Sequence, residues 1–155
     1  MIDAITKRHR ELEEGRRKDL YRDSEGLWTI GIGHLISNGR NTTEKEAREM
    51  LAALGKPAPW ADNQIDAQLE FDTVKAVGAI NGAFPFVAGL PPRVREGVYD
   101  MAFQLGPSRC GAFHVMWAAL SRRDYTAAKA AALDSLWHEQ TPDRCESVAA
   151  MIGNE

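Results

Sequence analysis

Residues 19–35 read DLYRDSEGLWTIGIGHL, and their pattern is the most informative about the fold. Its turn-forming residues 23–26 (DSEG) separate two short runs of strand-forming residues, the second of which is 27–30 (LWTI). Two such runs joined by a short turn predict a β-hairpin. Gly31 and Gly33 follow at a spacing that permits close backbone approach and strand curvature. The stretch therefore predicts a small, curved antiparallel sheet.

The chain on both sides of this stretch has helical patterns. Before it, a charged amphipathic segment ends in Gly15, which predicts a helix C-terminus at Glu14. After it, Thr42 and Thr43 precede an acidic first turn, and this pattern predicts a short helix that runs to about Leu54. The predicted sheet therefore lies between helices.

The longest predicted helix covers 62–81. Apolar residues at helical spacing are expected to keep one side of it buried. They are Ile65, Leu69, Val74, Val77 and Ile80. Residues 82–155 are interrupted by prolines and lack an alternating strand pattern, and Ala and Leu dominate residues 118–137, so we expect this part to be all helical. The sequence thus predicts an α+β, mostly helical fold in which a long helix joins two lobes.

The composition is that of an ordinary globular chain that suits one domain. Of the 155 residues, 26% are charged and 44% are hydrophobic, and no apolar run approaches the roughly 20 residues that a membrane span needs. We therefore expect no membrane insertion. The net charge of -3 argues against nucleic acid as the main partner. The first ten residues lack the apolar core of a secretory signal peptide, so we expect no signal peptide.

The cysteines and histidines predict neither a metal site nor a cofactor. Cys110 and Cys145 are too few to staple a fold, and we expect free thiols in a reducing cytoplasm, with a disulfide as the alternative. The four histidines and two cysteines do not have the spacing of zinc ligands. We therefore expect no metal and no cofactor.

Two carboxylates and a threonine are the candidates for chemistry. Cleavage of a glycosidic bond requires one carboxylic acid and usually a second group that guides water. Glu14 and Asp23 lie on opposite sides of the junction between the first helix and the hairpin, and Thr29 on the second strand can face Asp23. A carboxylate at a helix C-terminus lies at the negative end of the helix dipole, which favours the protonated form that a general acid needs. By spacing alone, the alternative is a pair of solvated acidic residues near a turn.

Three ordered motifs resemble the phage-type lysozymes, or endolysins, of glycoside hydrolase family 24. The first is Glu14-Gly15 followed by residues 19–35, and the others are residues 101–106 (MAFQLG) and 137–144 (WHEQTPDR). The resemblance covers nearly the whole chain. It implies a muramidase that hydrolyses the β-1,4 bond between N-acetylmuramic acid and N-acetylglucosamine in peptidoglycan and so lyses the bacterial wall.

The resemblance also implies a lysozyme-like, two-lobe fold within a single domain, 1–155. The N-terminal lobe is expected at about 15–62, with the small sheet, and the first helix is expected to pack on the C-terminal lobe. The inter-lobe helix is expected at about 62–81 and the all-helical C-terminal lobe at about 82–155.

The roles of the catalytic residues follow from the same resemblance. Glu14 is expected to be the general acid, while Asp23 and Thr29 position the attacking water in a reaction that inverts the anomeric carbon. Inversion needs room for water, so we expect the two carboxyl groups to be separated by roughly 6.5 to 9.5 Å. Arg144 is expected to pair with Glu14, the alternative being a surface arginine.

The resemblance assigns further residues to substrate binding and to support. Leu35, Phe103 and Gln104 are expected to bind substrate, although Phe103 has a plain core position as its alternative. An aromatic face and an amide suit the apolar face of a sugar and its hydroxyl or acetamido groups. His34 and Asp72 are expected to form a buried pair that stabilises the fold and has no part in catalysis.

The expected partner is the glycan strand of peptidoglycan, and a monomer suffices for its hydrolysis. A chain of this kind is expected to be made in the cytoplasm of the bacterial host and to act on the wall in the periplasm, so a holin or another release route is needed. One alternative is a catalytically silent module that binds peptidoglycan or acts as a scaffold. Another is a lytic transglycosylase, which cleaves the same bond without water and leaves Asp23 and Thr29 without a purpose. A helical interaction protein leaves the hairpin motif unexplained.

Overall fold

The computed structural model describes residues 10–12 and 14–153. The chain divides into two compact units, Met1–Asp72 and Thr73–Glu155. The predicted packing of the first helix concerns residues that lie mostly outside the described part of the chain, and the proposed lobes remain predictions.

A three-stranded antiparallel sheet follows the first helical residues. Its strands are β1 (Arg17–Arg22), β2 (Trp28–Gly31) and β3 (His34–Leu35), in the order β1-β2-β3. In the β1–β2 pair, Tyr21 lies opposite Thr29. The hairpin and the small sheet predicted from residues 19–35 are confirmed.

Two helices follow the sheet, as predicted. The first, α1 (Glu44–Ala53), begins with a capping box: the Thr43 hydroxyl accepts from the backbone N–H of Glu46 at 3.1 Å, and the Glu46 carboxylate accepts from the backbone N–H of Thr43 at 3.5 Å. The second, α2 (Asp62–Ala83), has 22 residues and is the longest helix among the described residues. The boundary between the two units falls within α2.

Removal of the α1 cap is expected to lower stability modestly. The Thr43→Ala variant leaves a first-turn N–H of α1 without its side-chain acceptor, and we expect the free energy of unfolding to fall by about 1 kcal/mol. Urea unfolding followed by circular dichroism measures this difference. The exposed Thr126 is the control, since Thr126→Ala is expected to cause no loss; an equal loss in both variants contradicts the capping role.

The predicted buried face of α2 is wrong at Val74, which is 53% exposed. Thr73 is buried in its place, because it follows the buried Leu69 by four residues and therefore stays on the same side of the helix. Val74 lies about 100° further round the helix axis. Ile65 and Ile80 are buried as predicted.

The described part of the second unit contains helices and no strand, which confirms the all-helical prediction. Its elements are a 3-10 helix at Pro85–Gly89, α3 (Pro92–Leu105), α4 (Pro107–Gly111), α5 (His114–Ser121), α6 (Tyr125–Leu133), α7 (Leu136–Gln140) and α8 (Pro142–Gly153). Several of these helices begin at a proline, where the missing N–H costs no intrahelical hydrogen bond. Among the described residues, no helix is both long enough and apolar enough to cross a membrane.

Both cysteines lie in the core of the second unit. Cys110 and Cys145 are free and buried, which confirms the predicted free thiols. Burial raises the pKa of the Cys110 thiol to about 12, and burial is also the main reason that the pKa of Cys145 rises to about 11. Both side chains are therefore neutral, apolar packing elements near pH 7. Trp117 packs beside them in the same core and stacks on Phe84 with ring centroids 3.8 Å apart.

Candidate active site

Glu14 lies at the C-terminal end of the first helical segment. Gly15 ends the segment: its backbone N–H donates to the Glu11 carbonyl at 2.9 Å, and its φ of +74° is one that side-chain-bearing residues rarely adopt. The predicted helix end is therefore confirmed. The Glu14 side chain is partly buried, so its carboxyl group has defined neighbours.

The Glu14 carboxyl group packs against the backbone of Gly33. A Cβ atom at Gly33 would lie 3.0 Å from both the Cδ and the Oε2 of Glu14. Gly33 also has a φ of +67°. Both the close approach and the backbone conformation therefore favour glycine at this position. The glycine motif predicted to allow close backbone approach thus receives the side chain of Glu14.

Arg16 attaches the end of the first helical segment to α2. Its guanidinium forms ion pairs with Glu11, with Asp66 at 2.7 Å and with Asp62 at 3.3 Å. The hydrogen bonds that Arg16 donates to Asp66 and Glu11 raise the pKa of Arg16 above its usual value. Glu11 and Glu14 are one turn apart, so this network restrains the turn that carries Glu14.

Asp23 is held by the hairpin turn that precedes β2. Its Oδ1 accepts from the backbone N–H groups of Glu25 and Leu27, each at 2.9 Å, and its own N–H donates to the Leu27 carbonyl at 2.9 Å. An aspartate that accepts from the backbone in this way stabilises the turn. None of the described residues donates a hydrogen bond to the other carboxylate oxygen, Oδ2. The turn thus holds Oδ1 of Asp23 in place, and Oδ2 is available to accept a hydrogen bond.

Thr29 lies in the middle of the sheet and is only 2% exposed. Its hydroxyl donates to the Leu27 carbonyl at 3.0 Å. A threonine hydroxyl has one proton and two lone pairs, so Thr29 can only accept a further hydrogen bond. Leu27 connects the two candidate residues, since Asp23 and Thr29 both bond to its backbone.

Tyr21 belongs to this group, although the sequence analysis did not select it. It is partly buried and lies opposite Thr29, and the backbone of Gly33 forms a hydrogen bond with its phenol. Burial first, and then the negative charge of Glu14, raise the pKa of Tyr21; the charge of Asp23 acts in the same direction. The sequence could have indicated Tyr21 through its position two residues before Asp23, because alternate residues of an extended chain share a face.

His34 and Asp72 are in contact, at the junction of β3 and α2. The Nδ1 atom of His34 lies 2.7 Å from Oδ2 of Asp72, and Gln68 donates to the other Asp72 oxygen at 2.9 Å. Lys56 donates in turn to Gln68 at 3.0 Å, and the His34 ring lies 5.7 Å from the Trp60 ring. The pair is half-buried, whereas the sequence analysis expected a buried one, because one edge of the junction faces solvent. Its expected lack of a catalytic role remains a prediction.

The second unit contains Arg144 and two of the predicted substrate-binding residues. Arg144 is buried, which excludes the surface-arginine alternative, and its Nη2 donates to Oδ1 of Asp100 at 3.0 Å. The predicted pairing of Arg144 with Glu14 remains a prediction. Gln104 donates through its side-chain nitrogen to the Thr141 hydroxyl at 3.2 Å, and Phe103 is partly buried.

The structure therefore brings Glu14, Tyr21, Asp23 and Thr29 into the first unit around the hairpin and Gly33. Leu35 is in the same sheet, opposite Thr29, and is 43% exposed. No group of three or more His, Cys, Asp or Glu side chains that could hold a metal ion occurs among residues 10–12 and 14–153. The arrangement can supply one carboxyl group as a proton donor and a second carboxylate with a hydroxyl as acceptors for water.

Comparisons with known proteins agree on one family. The sequence model of the phage lysozyme family matches residues 11–149. A probable T4-type lysozyme 2 from Dictyostelium discoideum is 25% identical over 90% of this chain and 88% of its own length. The pre-baseplate central spike protein Gp5 of Enterobacteria phage T4 is 28% identical over 90% of this chain and 26% of its own length. The peptidoglycan hydrolase gp36 of Pseudomonas phage phiKMV is 28% identical over 86% of this chain and 13% of its own length.

Proposed function

Since this chain belongs to the phage lysozyme family, we propose that it is a muramidase that cleaves the β-1,4 bond between N-acetylmuramic acid and N-acetylglucosamine in peptidoglycan. Family membership and the relatives named as lysozymes and as a peptidoglycan hydrolase support a peptidoglycan-lytic function. The bond and the mechanism are our proposal. The observation that carries it is the Glu14 carboxyl group packed against Gly33 in the same unit as the hairpin that holds Asp23 and Thr29.

Glu14 is the proposed general acid. Its carboxyl group gives a proton to the glycosidic oxygen as the bond to the anomeric carbon breaks, so the leaving sugar departs as a neutral alcohol. Gly33 leaves room for the carboxyl group at a defined place, which general acid catalysis requires.

Asp23 and Thr29 are the proposed binding groups for the attacking water. Oδ2 of Asp23 and the hydroxyl oxygen of Thr29 are both acceptors, because the Thr29 proton is already donated to Leu27. A water that donates one hydrogen bond to each of them presents a lone pair to the anomeric carbon. As the new C–O bond forms, Asp23 takes the proton of the water. Both carboxyl groups then return to their starting states by exchange with solvent.

The stereochemistry follows from the single displacement. Water attacks from the face opposite to the leaving group, so a β-linked substrate gives an α-configured product. The proposal requires a separation of roughly 6.5 to 9.5 Å between the carboxyl groups of Glu14 and Asp23, which leaves room for the water.

The proposed binding residues extend from this centre. Leu35 offers an exposed apolar side chain in the strand beside Thr29, where it can contact the face of a sugar. Phe103 and Gln104 are proposed to contact the glycan from the second unit, and Arg144 is proposed to orient Glu14 by pairing with its carboxylate. We further propose that the protein works as a monomer. It is made in the cytoplasm of the bacterial host, and a holin or another lesion gives it access to the wall.

Product analysis of purified Gram-negative peptidoglycan tests the reaction. We expect the protein to release glycan fragments that end in reducing N-acetylmuramic acid, as detected by mass spectrometry, with the α-anomer appearing first in proton NMR spectra. Fragments with anhydro ends indicate a lytic transglycosylase and contradict hydrolysis. If the folded protein sediments with the wall but releases no fragments, it is a binding module.

A further inference from the structure

The proposed mechanism gives no role to Tyr21, a polar side chain beside the site. Tyr21 lies on β1, directly opposite Thr29 and two residues before Asp23. Its phenol is partly buried and lies within electrostatic range of both Glu14 and Asp23. A tyrosine hydroxyl in such a position usually has a hydrogen-bond partner.

The hydrogen-bond partner of Tyr21 is the backbone of Gly33, against which the Glu14 carboxyl group packs. The hydrogen bond between Gly33 and Tyr21 lowers the pKa of the phenol, as a bond donated by an N–H to the phenol oxygen does. The Glu14 carboxyl group in turn packs so closely on Gly33 that a Cβ atom added there would lie 3.0 Å from its Cδ and Oε2 atoms. Tyr21 therefore contacts Gly33, and Gly33 contacts Glu14.

We propose that Tyr21 is a positioning residue for the general acid, because its phenol oxygen holds the Gly33 backbone in the place against which the Glu14 carboxyl group packs. The inference rests on the proposed function, in which Glu14 is the acid. Gly31 at the end of β2 and Gly33 in the turn that follows both have a positive φ, so the backbone here has more freedom than other residues would allow. A side-chain acceptor on the neighbouring strand removes part of that freedom.

The protonation state of Tyr21 suits this task. Burial and the charges of the two carboxylates keep the phenol neutral well above neutral pH, since they raise its pKa. A neutral phenol can accept from the N–H of Gly33 and still has a proton to donate. It therefore adds no charge beside Glu14 and Asp23, where a further negative charge would be repelled.

The Tyr21→Phe variant is the direct test, since it removes one oxygen atom and keeps the ring. We expect kcat on a soluble peptidoglycan glycan to fall about tenfold with KM unchanged, which is the effect of losing one hydrogen bond that acts on the transition state. The matched control is Tyr99→Phe. The Tyr99 hydroxyl is also part-buried and hydrogen-bonded, in this case as the donor to Asn81 at 2.9 Å. It lies in the second unit, and we expect its loss to leave kcat unchanged.

A spectroscopic measurement distinguishes positioning from general stability. In protein labelled with 15N-glycine, the Gly33 amide proton is expected to move upfield and to exchange faster with solvent in Tyr21→Phe, but not in Tyr99→Phe. The 13C resonance of the Glu14 carboxyl carbon is expected to shift in the same variant only. Thermal unfolding of both variants shows how much of any loss comes from stability alone.

Several outcomes overturn the inference. An unchanged kcat, an increase in KM alone, or an unmoved Gly33 amide each rejects a positioning role for Tyr21. If the folded wild type releases no fragments from peptidoglycan, the proposed function fails, and the NMR measurements alone then decide whether Tyr21 positions Glu14. Unmoved Gly33 and Glu14 signals reject the positioning role in that case too.

Discussion

We expect the Glu14→Gln variant to lose about 10²- to 10⁴-fold in kcat while it keeps its fold. Glutamine has nearly the same shape as glutamate, so it can occupy the space beside Gly33. Its amide has no acidic proton to give to the glycosidic oxygen, and the leaving sugar must then depart as an alkoxide. The clearing of outer-membrane-permeabilised Gram-negative cells measures the loss, and circular dichroism verifies the fold.

The control for this variant is Glu49→Gln on the exposed side of α1. It makes the same chemical change and the same change in net charge at a position outside the site, so we expect the wild-type rate. This comparison matters because the substrate is an anionic polymer, and removing one negative charge can change its binding. Equal clearing by Glu14→Gln and the wild type means that another residue is the acid.

The parts of the fold that could be predicted from sequence are those set by local chemistry. The turn at residues 23–26 fixes the hairpin, and Thr43 with Glu46 fixes the start of α1, because in each case the bonding partners are within four residues. The error at Val74 has a different origin. Thr73 is polar, so a search for apolar residues passed over the position that the helical period actually buries.

The site was predictable in part for the same reason. Asp23 bonds within its own turn and Glu14 ends its helix at a glycine, so the sequence marks both. The task of Tyr21 depends on the backbone of Gly33, twelve residues later, which a local pattern does not contain. The same holds for Asp100 as the partner of Arg144, since 44 residues separate them.

Breaking the pair between Asp100 and Arg144 is expected to have the largest effect on stability. The Asp100→Ala variant is expected to lower the free energy of unfolding by about 3 kcal/mol, because it removes two charge-assisted hydrogen bonds from a buried guanidinium. Both side chains are buried, and Arg144 donates to Asp100 through Nε at 3.3 Å and through Nη2 at 3.0 Å. Breaking such a pair leaves a guanidinium that has lost both its solvent and these two acceptors. Urea unfolding of the two proteins measures the difference.

The exposed pair between Arg48 and Asp19 is the matched control. It has a similar two-point geometry, with Nη1–Oδ1 at 3.1 Å and Nη2–Oδ2 at 3.3 Å, but water reaches both side chains. We expect Asp19→Ala to leave stability nearly unchanged, because water replaces the lost bonds. A double variant, Asp100→Leu with Arg144→Met, is expected to recover much of the stability that Asp100→Ala loses, since it removes the buried charge together with its partner. If the double variant is no more stable than Asp100→Ala, the loss comes from packing around Asp100 and not from the hydrogen bonds that the buried Arg144 has lost.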